Sequence, residues 1–413
     1  MEGLHGGYAN VVDFGARPNS FLDDTQAFEA AISTSKSVFV PEGIYHVSET
    51  LVLNNQNLVG TGMLASQIVN TSPDKKKPIL QLGRTCSVSD LLIKFKNDLI
   101  TGKEKEGERV GILTHTDLWG LQRGSSIRNI RIDCVGTGVY SGYEPVFSVE
   151  FNTIEIIDYS FRGLDFVATR LNGSVFDNLY LISEHFEVDC CLHMKNEFTM
   201  GKVVLALTKC HTAVSVSDIT AYSIEALTLE KMTLLDDGGA FIKIDNSAGV
   251  IHSLSIAYVP VDVYRMKFIE IGGGLYDLHE DWSVNKPNVN KFLEIGILSC
   301  EAINDPSHDK FQPRQGYFDC IDKPRFFYRD KDAEGEYYVT VKHYAYFSYQ
   351  SDLEYYDEMY CEDNGRIEFL QKGLIKTHGT TAERPKNRLC PYHSAYFDTD
   401  LGKKLIWDGE GWV

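Results

Sequence analysis

Two short stretches of the sequence collect acid–base side chains. "ISEHFEVDCC" places Glu184, His185, Glu187 and Asp189 within six residues, and "LYDLHEDW" places Tyr276, Asp277, His279, Glu280, Asp281 and Trp282 within seven. Carboxylates beside an imidazole suit general acid–base work. Cleaving a glycosidic bond by hydrolysis takes two carboxylates about 5 to 9.5 Å apart, whereas elimination takes a base with an arginine or metal to absorb the developing charge. Glu184, His185, Asp189, Asp277, His279, Glu280 and Asp281 are the candidate catalytic residues, with Trp282 and Tyr276 as candidate substrate-binding surfaces. Asp236 and Asp237 precede Gly238-Gly239 and read as turn residues, while the lone His46, His115 and His252 read as packing residues. Lys75-Lys76-Lys77 reads as a solvated loop. No His-Glu-x-x-His or comparable spacing calls for a metal, so neither metal nor cofactor is expected.

Those residues need elements to hold them, and the sequence supplies a repeat. The template apolar-x-x-apolar-x-apolar reads Val88-Leu91-Ile93, Ile127-Ile130-Ile132, Phe151-Ile154-Ile156, Phe176-Leu179-Leu181 and a weaker Lys202-Leu205-Leu207. It resumes as Ile224-Leu227-Leu229, Ile251-Leu254-Ile256 and Phe292-Ile295-Ile297. The middle position advances by 39, 24, 25, 26, 22, 27 and 41 residues. The period-2 ending puts each match on a strand, and the central steps are too short for a strand–helix–strand unit of about 30 residues or more. They suit one coil of a parallel β-helix, three short strands joined by turns and stacked at about 4.8 Å. The long outer steps read as loop excursions or weaker coils. A leucine-rich repeat is the nearest competitor, but its LxxLxLxxN consensus is absent. Asn129, Thr153, Asn178, Ala226 and Ser253 precede the middle position, where stacked side chains can hydrogen-bond along the axis.

Composition narrows the classes. The 413 residues are 43% hydrophobic, enough for a sizeable core, and a formal charge of −18 works against binding phosphate backbones, so no nucleic-acid partner is expected. No signal peptide or membrane-length apolar run is visible, so membrane insertion is not expected. Nine cysteines without CxxC spacing read as reduced, mostly buried thiols.

A solenoid must cover its open ends. In "VVDFGARPNSFLDDTQAFEAAI", Asp23 and Gln26 have capping-box spacing, and Ala27, Phe28, Ala31 and Ile32 form one apolar face that should lie over the first coil. "VVDFGA", "DDTQAFEAAI" and "VFVPEGIYHV" resemble the N-terminal signature of the pectate-lyase-like parallel β-helix superfamily, which includes phage tailspikes and polysaccharide depolymerases. The usual Gly-Asp-Gly-x-x-Asp-Asp loop stands here as Pro18-Asn19-Ser20-Phe21-Leu22-Asp23-Asp24, so the Asp pair reads as structural. The pectin-hydrolase signatures Asn-Thr-Asp, Gly-His-Gly and Arg-Ile-Lys are absent.

Toward the other end, "GTTAERPKN" and "AYFDTDLGKKLIWDGEGWV" resemble the C-terminal peptide of phage and prophage tail fibres and tailspikes, and read chemically as a hairpin. The fold class expected is all-β: a right-handed single-stranded parallel β-helix (pectin-lyase-like) with an N-terminal capping helix and a C-terminal β-rich segment. The expected division is 1–48 cap, 49–320 β-helix, 321–376 β-rich segment serving trimerisation or, through its tyrosines, carbohydrate stacking, and 377–413 hairpin motif. The resemblance implies a homotrimeric virion-tail protein that recognises, and in some members depolymerises, a bacterial surface polysaccharide. With ten residues before the cap, no separate N-terminal particle-binding domain is expected; attachment falls to those residues, the C-terminal segment or adaptor and other tail proteins. The rival expectations are a free-standing polysaccharide lyase or glycoside hydrolase of bacterial origin, and a purely structural virion role.

Overall fold

The computed structural model describes residues 4–5, 7–114, 123–142, 146, 148–167, 174–195, 197–219, 221–235, 239–245, 247–260, 267–272, 291–303, 325–329, 337–350, 355–356, 360–362, 367–369, 378–383, 395–406 and 412–413. Its coils stack in parallel and in register. Val88, Leu91 and Ile93 stand on Ile127, Ile130 and Ile132, these on Phe151, Ile154 and Ile156, and these on Phe176, Leu179 and Leu181. All twelve are buried. The outcome is a parallel β-solenoid of about nine turns, as the repeat predicts. Inside it, Phe151 and Phe176 stack with ring centroids 4.5 Å apart, and Phe166 meets both edge-on at 5.4 and 5.0 Å.

Two repeat matches are out of frame. Phe176, Leu179 and Leu181 pair with Met200, Val203 and Leu205, so that coil's core triplet starts at Met200 rather than Lys202. Leu207 is partly exposed and takes φ 51°, a corner rather than a core position. Likewise Ile251 and Leu254 pair with Ile295 and Leu298, and Ile297 is 48% exposed. In both stretches the apolar residues are dense enough to fit the template twice, and only pairing to the neighbouring coil selects the frame.

The position before the middle apolar residue has a backbone reason. Asp90, Asn129, Thr153 and Asn178 take φ between 50° and 60°, the left-handed bend that Asn and Asp tolerate best. Asn129 Nδ2 donates to Asp90 Oδ1 at 2.6 Å, while Asn178 Nδ2 reaches Asn152 rather than Thr153. Ala226 and Ser253 pair in a straight ladder without that bend.

Helix Thr25–Thr34 buries Ala27, Phe28, Ala31 and Ile32, and Phe28 meets Tyr45 of the first coil edge-on. Its start differs from the sequence expectation. The N-cap is Asp24, so the Asp23–Gln26 capping box does not form. Asp23 accepts from Thr25 N, Thr25 Oγ1 and Ser48 Oγ, and Asp24 accepts from Arg17 N. Both carboxylates fasten the cap loop.

Parallel pairing continues past residue 320. Lys291–Ile303 pairs with Tyr337–Gln350, Lys267–Gly272 with Arg325–Arg329, and Tyr337–Gln350 with Ile367–Phe369. The 321–376 stretch therefore carries strands of the same ladder, because sheet pairing uses backbone N–H and C=O groups and does not need the apolar template. Ala395–Asp398 and Lys403–Ile406 form the antiparallel hairpin expected near the end of the sequence.

Replacing Phe151 with alanine opens the centre of the aromatic cluster and should lower stability by about 3 to 5 kcal/mol. Equilibrium denaturation by guanidinium, followed by circular dichroism, measures it; a loss below about 1 kcal/mol would mean the stack is not a packing centre.

Candidate functional site

Past the second corner each coil runs through small residues, Gly111, Gly138, Gly163, Cys191 and Ala213, each followed by an aliphatic. Those aliphatics, Ile112, Val139, Leu164, Leu192 and Val214, are buried and in register from coil to coil. A Cβ on Gly163 would lie 2.3 Å from Leu181 Cδ2 and 2.7 Å from the Cys191 carbonyl oxygen, so this position faces the interior, and Leu164 beside it belongs to the core too. Two successive inward residues break the strand's alternation. Arg162 and Asp165, three apart, consequently meet on one outward side.

The next position forms an outward ladder: Tyr140, Asp165, His193, Ser215 and Lys243 on successive coils. Asp165 is fully buried nonetheless, closed over by its partners. Arg162 Nη1 donates to Asp165 Oδ2 at 3.0 Å, and Arg162 Nε and Nη2 both lie 2.7 Å from Asp189 Oδ2. His193 Nδ1 lies 2.8 Å from Asp165 Oδ1 and 2.9 Å from Arg162 Nη1. A ring nitrogen takes one role at a time: protonated, Nδ1 donates to Asp165, and unprotonated it accepts from Arg162. Burial works against the Arg162 charge, but Asp165 and Asp189 outweigh it and hold the guanidinium above its ordinary pKa. Asp189 is the accessible carboxylate, 40% exposed.

A loop over residues 97–109 lies beside this cluster and accounts for part of the first long repeat step. Glu104 is its buried foot, accepting from Thr101 N, Thr101 Oγ1, Lys103 N and, at 2.6 Å, Ser160 Oγ. The loop presses close enough on Gly136 that a Cβ there would lie 2.3 Å from Glu108 O. Gly102 sits against the Phe186 ring, and Tyr140 donates to Glu106 Oε1 at 3.0 Å. At its base Arg109 donates to the carbonyls of Ser72 and Pro73. Lys75 and Lys76 approach Glu108, and Lys77 approaches Glu49, so the lysine run is paired rather than free.

Of the sequence candidates, Asp189 belongs to the cluster and Glu184 and His185 do not. His185 Nδ1 lies 2.9 Å from both oxygens of Asp158, whose hydrogen bond and charge raise the imidazole pKa. The loop touches Gly136, Ser160 and Phe186. Along the coils that line falls between Asp158–His185 and Arg162–Asp189, so the loop separates the two pairs. Tyr276, Asp277, His279, Glu280, Asp281 and Trp282 lie outside the described residues, as do Asp236, Asp237 and His115. His46 Nδ1 donates to Ser20 O, and His252 Nε2 lies 3.3 Å from Ser223 Oγ. Among the described residues no three His, Cys, Asp or Glu side chains are arranged to hold a metal, and no helix is long and apolar enough to cross a membrane.

Arg162, Asp165 and His193 escape a search for clustered acids and histidines. A usable signal was present: a polar residue directly after each small–aliphatic pair, Gly163-Leu164-Asp165 and Cys191-Leu192-His193.

The family described as rhamnogalacturonase A/epimerase, pectate lyase-like, matches residues 8–233. No protein of curated function matches the sequence. Among solved structures, the gp42 tailspike of Acinetobacter phage vb_AbaP_AS12 is similar at 12% identity and TM-score 0.58, covering 99% of this chain and 66% of its own. The catalytic unit of a GH87 α-1,3-glucanase from Streptomyces thermodiastaticus gives 15% identity, TM-score 0.46 and coverages of 85% and 71%. The A-module of the mannuronan C-5 epimerase AlgE6 from Azotobacter vinelandii gives 13%, 0.48, and coverages of 88% and 97%. The chain thus spans about two thirds of the tailspike's length.

Arg162→Ala leaves Asp165 buried without its cation and should destabilise the fold by about 3 to 5 kcal/mol, part of which Asp165→Asn restores in the double variant. Denaturation midpoints of the three variants check this; a strictly additive double variant would mean the pair is uncoupled. Glu104 gives a pH test. Burial would raise its carboxyl, but hydrogen bonds from Ser160 and Thr101 outweigh it and hold the pKa below the ordinary 4.5. Its contribution is therefore present above that value and lost as pH falls through the folded pKa. Glu104→Gln should cost about 1.5 to 3 kcal/mol at neutral pH and speed tryptic cleavage after the exposed Lys103 and Lys105.

Proposed function

The chain belongs to the rhamnogalacturonase A/epimerase, pectate lyase-like family, and from that premise we propose that it is a phage or prophage tailspike or tail-fibre protein. It recognises a bacterial surface polysaccharide and shortens it at the groove beside the 97–109 loop. The observation that carries the site is the buried Asp165 held between Arg162 and His193 with Asp189 exposed in front. Asp165 cannot reach a substrate, so it is a positioning residue: it fixes the guanidinium and the imidazole ring. Asp189 and His193 are the groups that meet the sugar, the carboxylate as acceptor and the Nε2 edge, on the far side of the ring from Asp165, as the proton-transfer group. The Asp277, His279, Glu280, Asp281, Trp282 and Tyr276 stretch supplies a second set of candidates.

The tail assignment rests on the C-terminal peptide, whose described residues include the Ala395–Asp398 and Lys403–Ile406 hairpin. Its turn is tied by Asp398, which accepts from Thr381 Oγ1, Asp400 N and Leu401 N. A homotrimer, with other tail or adaptor proteins as partners and the virion tail as location, follows from the same reading.

Incubation with capsular polysaccharides from candidate hosts, followed by chain length and by absorbance near 235 nm for unsaturated uronate, tests the proposal. Shortening of one capsule is expected, with Asp189→Asn and His193→Ala each slowing it about 10²-fold or more. Shortening unaffected by either variant but abolished by His279→Ala would move the site to the 276–282 stretch. Neither binding nor shortening would overturn the proposal.

A further inference from the structure

We infer that Asp165, His193 and Ser215 form a nucleophilic triad, and that the chain strips O-acyl groups from its polysaccharide through an acyl–Ser215 intermediate. The triad stands on the coil ladder; only the acyl carrier rests on the reading above.

The outward ladder reads Asp165, His193 and Ser215 on three successive coils. That is the order of carboxylate, imidazole and hydroxyl that activates a serine. Asp165 is fully buried; its Oδ1 lies 2.8 Å from His193 Nδ1, and its Oδ2 accepts from Arg162 at 3.0 Å. With Nδ1 donating to Asp165, the lone pair is on Nε2, which the imidazole directs away from Asp165. The coil on that side carries Ser215 as the residue paired with His193. Neighbouring strands stand about 4.8 Å apart, a spacing that a serine rotamer can close to a hydrogen bond, and such bonds commonly tighten only once substrate is seated. Ser215 is partly exposed. Other serines of these coils are committed, Ser160 Oγ donating to Glu104 and Ser183 Oγ to Tyr159 O. Among the described residues Ser215 Oγ has no such bond. Lys243 follows on the next rung and is the cation along this ladder for an oxyanion formed beside Ser215.

Ser215 Oγ attacks the acyl carbon as its proton passes to His193 Nε2. The ester C–O bond then breaks, and Nε2 returns the proton to the departing sugar hydroxyl. Water attacks the acyl–serine by the same route; Nε2 takes its proton and gives it back to Oγ as the carboxylic acid leaves. The sum is ester plus water to acid plus alcohol. A sugar alkoxide leaves more readily than an amine, so the substrate is an O-acyl ester rather than an N-acyl group.

The full chain is treated with a fluorophosphonate and mapped by tryptic mass spectrometry, then assayed with p-nitrophenyl acetate and with O-acetylated capsules, acetate being followed by NMR. Phosphonylation confined to Ser215 is expected, in the peptide 210–231. Ester hydrolysis should fall by about 10²-fold or more in Ser215→Ala and in His193→Ala. Ser215→Ala should keep its melting temperature, since that hydroxyl has no hydrogen bond to lose, so lost turnover there is not lost fold. Absence of label, label on another residue, or turnover unchanged in Ser215→Ala would overturn the triad. Hydrolysis of p-nitrophenyl acetate at Ser215 with capsules that keep their acyl groups would uphold the triad and overturn the polysaccharide as carrier. Acetate released without shortening would uphold the inference and count against the shortening reaction alone.

Discussion

Stacking in register is the constraint on which everything else depends. Each coil places its backbone N–H and C=O groups against those of the next, so every residue stands about 4.8 Å above its equivalent. A side chain's neighbours are then set by coil position more than by sequence distance. The interior fills with ladders of aliphatic and aromatic residues, and the exterior acquires ladders of whatever polar residues fall in line. His193 lies 28 residues after Asp165, and they nevertheless meet at 2.8 Å.

The corner that follows the core strand turns this regularity into a cluster of charged side chains. A small residue there lets two successive positions face inward, and the strand emerges with its alternation shifted. That shift joins Arg162 to Asp165, which a straight strand would hold on opposite faces. A fully buried carboxylate is costly unless paired and hydrogen-bonded, and Asp165 meets the condition with a guanidinium and an imidazole. The pairing is specific: it fixes both groups with little freedom and leaves the accessible edge to Asp189.

The 97–109 loop packs against the coils beside this cluster. Its foot is a charged group under cover, stabilised by four donors that include a serine from a different coil. Insertions between coils leave the ladder undisturbed, since pairing resumes at Ser126 in the frame left at Ser87. A solenoid can therefore carry such loops where a globular core would have to repack around them, and they divide its surface into separate faces. Here the loop sets His185 and Asp158 apart from Asp189 and Arg162, although His185 and Asp189 are four residues apart in the sequence.

The sequence by itself determined the architecture. A repeat whose central steps run from 22 to 27 residues, with a period-2 ending, permits little other than stacked short strands, and the apolar face of Ala27, Phe28, Ala31 and Ile32 marks the lid. It also flagged Asp189, through the local density of acids around it. The frames at Met200 and Ile295 were not legible, because crowded aliphatics satisfy the template in more than one way and only cross-coil pairing breaks the tie. Nor was the continuation of the ladder beyond residue 320, since tyrosine-rich strands can pair through their backbones without the apolar signature. The small–aliphatic–polar order marks Asp165 and His193 as positions in the sequence, but their meeting with Arg162 was decided by tertiary structure: the two successive inward positions at Gly163 and Leu164 and the closing of one coil bring their charges within hydrogen-bonding distance.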